Sequence, residues 1–306
     1  MGMYNIGDVI KQTRKNLVLT QEQLCDGICS VETLSRIENG KQIPSKSTFQ
    51  ALMERMGKDG ERYIPLVHSD EINTIKEWNR LNSLFEKRKY YELDSALTDF
   101  EIYIDIEDYV NRQFIIRARA LNDYFLHRIN EKEKRMRLIE AVRCTIPHFD
   151  GENIPDGIFN QCERRLFCNI AVSYAEEKQF DKAINILKQL EKHISTTCIS
   201  GEQKSELMGL LLSNMSQILG QIGEIQEALL IGEKGLNMCL HERAGGRLAQ
   251  FLYNTGFDME LLDMDEKKCK ERLIQAYYVA ELNENWEQMD HIKKHWEQKY
   301  SQKMRF

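Results

Sequence analysis

Two asparagines, Asn169 and Asn214, each stand fourteen residues before an alanine (Ala183, Ala228) and two before a small residue (Ala171, Ser216). A carboxamide repeated in register is a device for holding a backbone. It offers one acceptor and two donors, so a row of them pairs with successive peptide groups of an extended chain whatever that chain's side chains are. Other groupings of reactive residues are weaker. The seven histidines (68, 127, 148, 193, 241, 291, 295) are dispersed, and His291 and His295, four apart, have no third ligand near them in sequence. The eight cysteines (25, 29, 144, 162, 168, 198, 239, 269) form no CxxC pair, and Cys25 and Cys29, the close pair, read as small apolar residues. A Gly-rich phosphate loop, GxSxG and HExxH are all missing from the sequence. The expectation is no enzyme, no cofactor and no metal.

Positioning such a row takes long helices, and the composition favours them. Leu, Glu, Lys and Ile dominate the 306 residues, and only Pro44, Pro65, Pro147 and Pro155 interrupt them; an all-α protein of two unequal domains is predicted. The segment FCNIAVSYAEEKQFDKAINILKQL places Ala171, Tyr174, Phe180 and Ala183 at the offsets of a tetratricopeptide repeat. LLLSNMSQILGQIGEIQEALLIGEKGL repeats the scheme with Ser216, Leu219, Gly223, Ile225 and Ala228. Weaker copies lie around 81–97 and 252–277, residues 110–145 are helical in pattern with poor repeat offsets, and a capping helix is expected near 285–302, about five helix pairs in all. Small residues belong where the two helices of a pair cross. Stacked pairs make a solenoid whose first helices line a long concave surface. The offsets send Arg165, Asn169, Val172, Asn214, Gln217 and Gln221 to that surface, with Asn79, Tyr253, Asn254 and Phe257 from the weaker copies. Amides dominate this set, which predicts a short peptide of modest charge as ligand.

The first sixty residues follow a different pattern. Ile6, Val9, Ile10, Thr13 and Leu17 give a first helix one buried stripe. Thr20-x-x-Gln23 is a capping box for a second helix with Leu24 and Ile28 inward. Ser30 caps a third helix that ends at Asn39-Gly40, with Leu34 and Ile37 buried. A fourth follows Pro44-Ser45, carrying Phe49, Leu52, Met53 and Met56. The predicted domains are residues 1–60, a Gly- and Pro-containing linker 61–70, and a repeat domain 71–306. The net charge of -6 is uneven: residues 1–60 hold 8 Lys/Arg against 7 Asp/Glu, leaving -7 to the rest. No basic leader followed by an apolar core and no 18-residue apolar run occurs, so a cytoplasmic protein without membrane contact is expected.

The pattern T-x-E-x-L-C-x-x-I from Thr20, with S-x-x-x-L-S-R-I-E-N-G-K-x-x-P-S from Ser30, resembles the Xre/Cro-type helix-turn-helix. That resemblance implies double-stranded DNA as partner, the third helix entering the major groove while the second crosses the backbone. Ser30, Val31, Glu32, Thr33 and Arg36 would face base edges or nearby phosphates, and Gln21, Lys41 and Lys46 would hold phosphates. It also implies an ion pair between Arg14 and Glu38.

Followed by repeats and a terminal helix, this domain makes the whole chain resemble the Rap, Rgg, NprR, PlcR and PrgX superfamily of peptide-sensing regulators. The PlcR branch is echoed in GICSVETLSRIENG, KRKYYEL, Asn214 and the basic and aromatic tail. The resemblance implies a cytoplasmic homodimer whose repeats bind a short, secreted and reimported signalling peptide, shifting the spacing of two DNA-binding units. Such a switch needs a differential affinity of about 1–3 kcal/mol. Two other readings use the same residues: a repressor whose groove takes a protein partner, and an interaction scaffold that does not touch DNA.

Overall fold

In the computed structural model the described residues are 6–58, 88–102, 109–156, 159–196, 201–241 and 247–301, with isolated positions between 77 and 104. Among them there are fourteen helices and no strand, the all-α class the composition predicts. They fall into two compact units, Met1–Ser200 and Gly201–Phe306. The predicted linker 61–70 lies outside the described residues.

The first unit opens with α1 (Ile6–Asn16), α2 (Gln21–Cys25), α3 (Val31–Glu38) and α4 (Lys46–Arg55). Each later start is capped as its residues dictate. Thr20 Oγ1 accepts from the Gln23 amide at 3.0 Å while Gln23 Oε1 accepts from the Thr20 amide at 2.8 Å, the predicted capping box. Ser30 and Ser45 each accept from the third amide of their helix at 3.1 Å, a cap worth about 1 kcal/mol. Ile10, Leu24, Ile28, Leu34, Ile37, Phe49, Leu52, Met53 and Met56 close into one apolar cluster. Leu17 departs from the expected stripe. Val18 turns left-handed (φ 57°) and the Leu19 amide closes on the Arg14 carbonyl at 3.2 Å, so α1 stops at Asn16 and Leu17 is 41% exposed.

Five further helices complete this unit: α5 (Tyr90–Glu101), α6 (Tyr109–Phe125), α7 (Glu131–Arg143), α8 (Gln161–Glu176) and α9 (Phe180–Thr196). From α6 on each packs on its predecessor, and α6 also touches α8. Ala171 and Ala183, fully buried, sit in the α8–α9 pair where the repeat offsets require small residues. The four-helix head leans on this array. Val110 of α6 joins the head's apolar cluster, α4 packs on α6, and Arg55 Nη2 lies 3.6 Å from Glu163 Oε1 of α8. Arg55 also donates to the carbonyls of Leu24 and Asp26. Gly27, in the turn between α2 and α3, has φ 67° and abuts the Thr145 carbonyl so closely that a Cβ would stand 1.7 Å from its oxygen.

The second unit contains α10 (Gly201–Ile222), α11 (Ile225–His241), α12 (Leu248–Leu261), α13 (Glu266–Leu282) and α14 (Trp286–Tyr300). Successive helices pack together and α10 lies beside α12. Gly223, at φ 88°, makes the α10–α11 turn. Asn285 caps α14, the expected terminal helix, by accepting from the Gln288 amide at 3.2 Å. Where α11 crosses α12, two glycines replace side chains: a Cβ on Gly232 would be 2.7 Å from Thr255 Cγ2, and one on Gly235 would be 2.2 Å from Phe251 Cε1. Gly235→Ala is therefore expected to overpack this crossing by about 1–3 kcal/mol despite its better helix propensity. Thermal melts check this, and Phe251→Leu in the same chain should recover part of the loss.

Candidate functional site

The outward face of α3 is presented by a rigid base. Arg14 Nε and Nη2 donate to Glu38 Oε1 and Oε2 at 2.6 and 2.8 Å, the ion pair expected from the resemblance, and Arg14 Nη1 donates to the Leu19 carbonyl at 2.8 Å. Burial pushes the Glu38 carboxyl up, but hydrogen bonds from Arg14 and Gln21 more than offset it, and the group is held below the usual carboxylate range. Gln21 Nε2 donates to Glu38 Oε2 at 2.8 Å. It buttresses the ion pair, with only the rest of its amide left for a phosphate.

On this base Val31 is 40% exposed, and Glu32, Arg36 and Lys41 are exposed as well. No hydrogen bond or ion pair among the described residues occupies the side chain of Glu32 or Arg36. Ser30 Oγ and Thr33 Oγ1 lie 2.9 Å apart in the α3 cap, so Ser30 serves first as a helix terminator. Lys46 is half-buried at the start of α4. The face thus offers two exposed cations and one acid, with the acid in the first turn where the helix dipole favours it.

In the first unit, α8 carries the repeat residues Arg165, Asn169 and Val172, all half-buried. Asn169 Oδ1 accepts from Arg117 Nε of α6 at 3.0 Å, which orients the carboxamide and leaves its two amide hydrogens for a ligand carbonyl. Arg117 escaped the sequence reading because residues 110–145 lack clear repeat offsets. Burial lowers its pKa, and the Arg165 charge acts in the same direction. In the second unit, α10 carries half-buried Asn214 and exposed Gln217 and Gln221.

On α12, Tyr253 stacks with Phe257 (centroids 6.3 Å, 15°) and takes His291 and His295 of α14 edge-on at 5.1 and 5.6 Å. Burial pushes the Tyr253 phenol up to about 12. Asn254 Oδ1 accepts from Gln250 Nε2 at 2.8 Å. His295 Nε2 lies 2.9 Å from Glu260 Oε2, so the two histidines belong to an aromatic wall, and the described residues contain no His/Cys/Asp/Glu group able to hold a metal. Asn79 lies outside the described residues. Among those described, no helix is long and apolar enough to cross a membrane.

Comparison with known proteins shows what this chain is similar to. The crystal structure of Bacillus thuringiensis PlcR with the peptide PapR7 and DNA is similar to this chain at TM-score 0.66 and 18% identity, over 95% of this chain and 99% of that one. Apo PlcR from the same organism gives TM-score 0.61 and 18% identity over 94% and 97%. The apo competence regulator ComR from Streptococcus vestibularis gives 0.52 and 17% over 95% and 96%. At these identities the likeness is one of fold. No curated protein matches the chain in sequence. A helix-turn-helix family model matches residues 10–62, and the model described as the RNPP family C-terminal domain matches residues 78–301. That second match spans most of the sequence: the chain belongs to the RNPP family.

Proposed function

We propose that this protein is a peptide-responsive transcriptional regulator of the PlcR type. Residues 1–60 bind duplex DNA, 61–70 link, and 71–306 take a short signalling peptide. The observation that carries the DNA half is the α3 face: Arg36 stands exposed on a helix whose rear is locked by the Arg14–Glu38 pair, and Lys41 stands exposed just beyond its end. The peptide half rests on the half-buried carboxamides of Asn169 and Asn214, at equivalent places in two repeats. PlcR has been crystallised with both a peptide and DNA, and a common fold makes the same division of labour the natural reading here. The protein works as a cytoplasmic homodimer, so two α3 helices meet two half-sites at a fixed separation. It performs no catalysis, and residues 30–33, 36, 41 and 46 supply the contacts to bases and phosphates. Peptide acts by binding one dimer geometry more tightly than the other.

Filter binding to the DNA upstream of the gene across a salt series tests the first half. Wild type should bind with affinity that falls steeply with salt, and Arg36→Ala should weaken it and reduce the slope by about one. Binding that is absent at low salt overturns this half. Asn169→Ala and Asn214→Ala should leave DNA binding by the free protein intact and blunt the response to peptide. The peptide itself is to be recovered from protein purified from its native host and identified by mass spectrometry. Calorimetry with that peptide then decides: unchanged affinity in the Asn variants removes the groove assignment.

A further inference from the structure

Within the second unit one acid stands apart from every other described carboxylate. Asp258 of α12 is 4% exposed, and no hydrogen bond or ion pair to its side chain occurs among the described residues. Its Oδ2 is buried without a donor. Nearby Glu260 shows what the fold does elsewhere: it accepts from Tyr300 and meets His295 at 2.9 Å. A buried carboxylate lacking such partners is costly to ionise, and burial alone pushes Asp258 up to about 7. An apolar residue would fill the place at lower cost, so the acid needs a reason other than packing.

The surroundings supply one. Asp258 faces α10 at Gly220, where a Cβ would lie 3.8 Å from Asp258 Oδ1 and touch nothing else within 4 Å. Bare backbone therefore flanks the carboxylate at the seam between the two helices. One turn earlier on α12, Asn254 Nδ2 is also buried without a partner while its Oδ1 is held by Gln250. An acceptor and a donor thus stand one turn apart on α12, with Gly220 of α10 against the acceptor. We propose that Asp258 is a specificity-determining residue that receives a cationic group of the bound peptide, an ammonium or guanidinium, with Asn254 donating to an adjacent carbonyl. This deepens the peptide-binding reading above and rests on it. The peptide's amino terminus and a Lys or Arg side chain are the two sources of such a cation; both bring N–H donors and positive charge to the same oxygen.

The test exposes the full-length protein to an equimolar pool of random heptapeptides, half of them N-acetylated, and sequences the retained fraction by mass spectrometry. Wild type should enrich peptides bearing a positive charge roughly tenfold, the factor that one charge-assisted hydrogen bond of about 1.4 kcal/mol provides. Exclusion of acetylated peptides identifies the amino terminus as the source, and Lys or Arg fixed at one position in both halves identifies a side chain. Asp258→Asn, which removes a buried charge and should fold at least as stably, is expected to retain peptides without that enrichment. Gly220→Leu, which leaves the acid in place and covers it, should do the same. Equal enrichment by wild type and Asp258→Asn, or retention by wild type with no charge preference, overturns the assignment while leaving the groove intact. Retention of no peptide by wild type overturns the groove reading and this inference together.

Discussion

Arg14→Met should cost the head about 3–5 kcal/mol, because it leaves the carboxylate of Glu38 buried without its fork of donors. Glu38 has a side chain 1% exposed, and of its three hydrogen bonds two come from Arg14 and one from Gln21. Arg14→Lys should recover only part of the loss, since a point charge cannot reproduce the bidentate geometry. The pH dependence follows from the lowered pKa of Glu38. Its contribution is complete above the unfolded-state value near 4.3 and fades as pH falls through the lower folded value. In Arg14→Met burial acts unopposed by that fork, so the deficit against wild type should be largest near neutrality and shrink in acid. Melts at pH 7 and pH 4 measure both effects. A variant within 1 kcal/mol of wild type at pH 7 would show that the pair does not hold α1 to α3.

Gly27→Ala is the second large effect, and Gly223→Ala is its internal control. Both glycines have positive φ, 67° and 88°, and a left-handed alanine costs roughly 1–2 kcal/mol. At Gly223 nothing lies within 4 Å of the new Cβ, whereas at Gly27 it would stand 1.7 Å from a backbone oxygen that no side-chain rotation can move. Gly27→Ala should therefore lose several kcal/mol more than Gly223→Ala, or free the head from the end of α7. Hydrogen exchange distinguishes these: faster exchange confined to 24–29 and 142–146 reports release, and a general rise reports unfolding. Equal melting temperatures for the two variants would contradict the close approach of Gly27 to Thr145.

Much of this fold could be read without coordinates because caps and small residues leave short, local signatures. Thr20-Gln23, Ser30 and Ser45 begin helices where their hydroxyls dictate, and Ala171, Ala183, Ser216 and Ala228 are buried where the repeat demands. Residues 110–145 read as helical but without repeat offsets, for a physical reason. Their helices α6 and α7 bury polar side chains, which blurs the hydropathy marks that would set a repeat's register. Gln113, fully buried, donates to the Ala141 carbonyl and to Thr145 Oγ1 at 3.1 and 2.7 Å. Lys134 meets Glu131 and Glu176 at 2.6 and 2.5 Å and lies 3.6 Å from the Tyr124 ring centroid. Arg117 was hidden in that stretch. Asp258 was missed differently: a lone acid on an amphipathic helix reads as solvent-facing, and only its neighbour Gly220 on another helix shows that it is not. Leu17 erred in the opposite sense, because a left-handed residue just after it ends the helix that its spacing continues.

The start and the middle of α8 do different jobs, and a helix does not bend easily between them. Glu163 approaches Arg55 of the head, and Asn169, six residues on, is aligned by Arg117. At 1.5 Å of rise per residue these points are about 9 Å apart on one stiff rod. A tilt of about ten degrees pivoting at Asn169 would swing the Glu163 end by roughly 1.5 Å. That displacement is enough to turn a 3.6 Å approach into firm contact or to break it altogether, so any load that tilts α8 at this carboxamide is felt directly at the four-helix head.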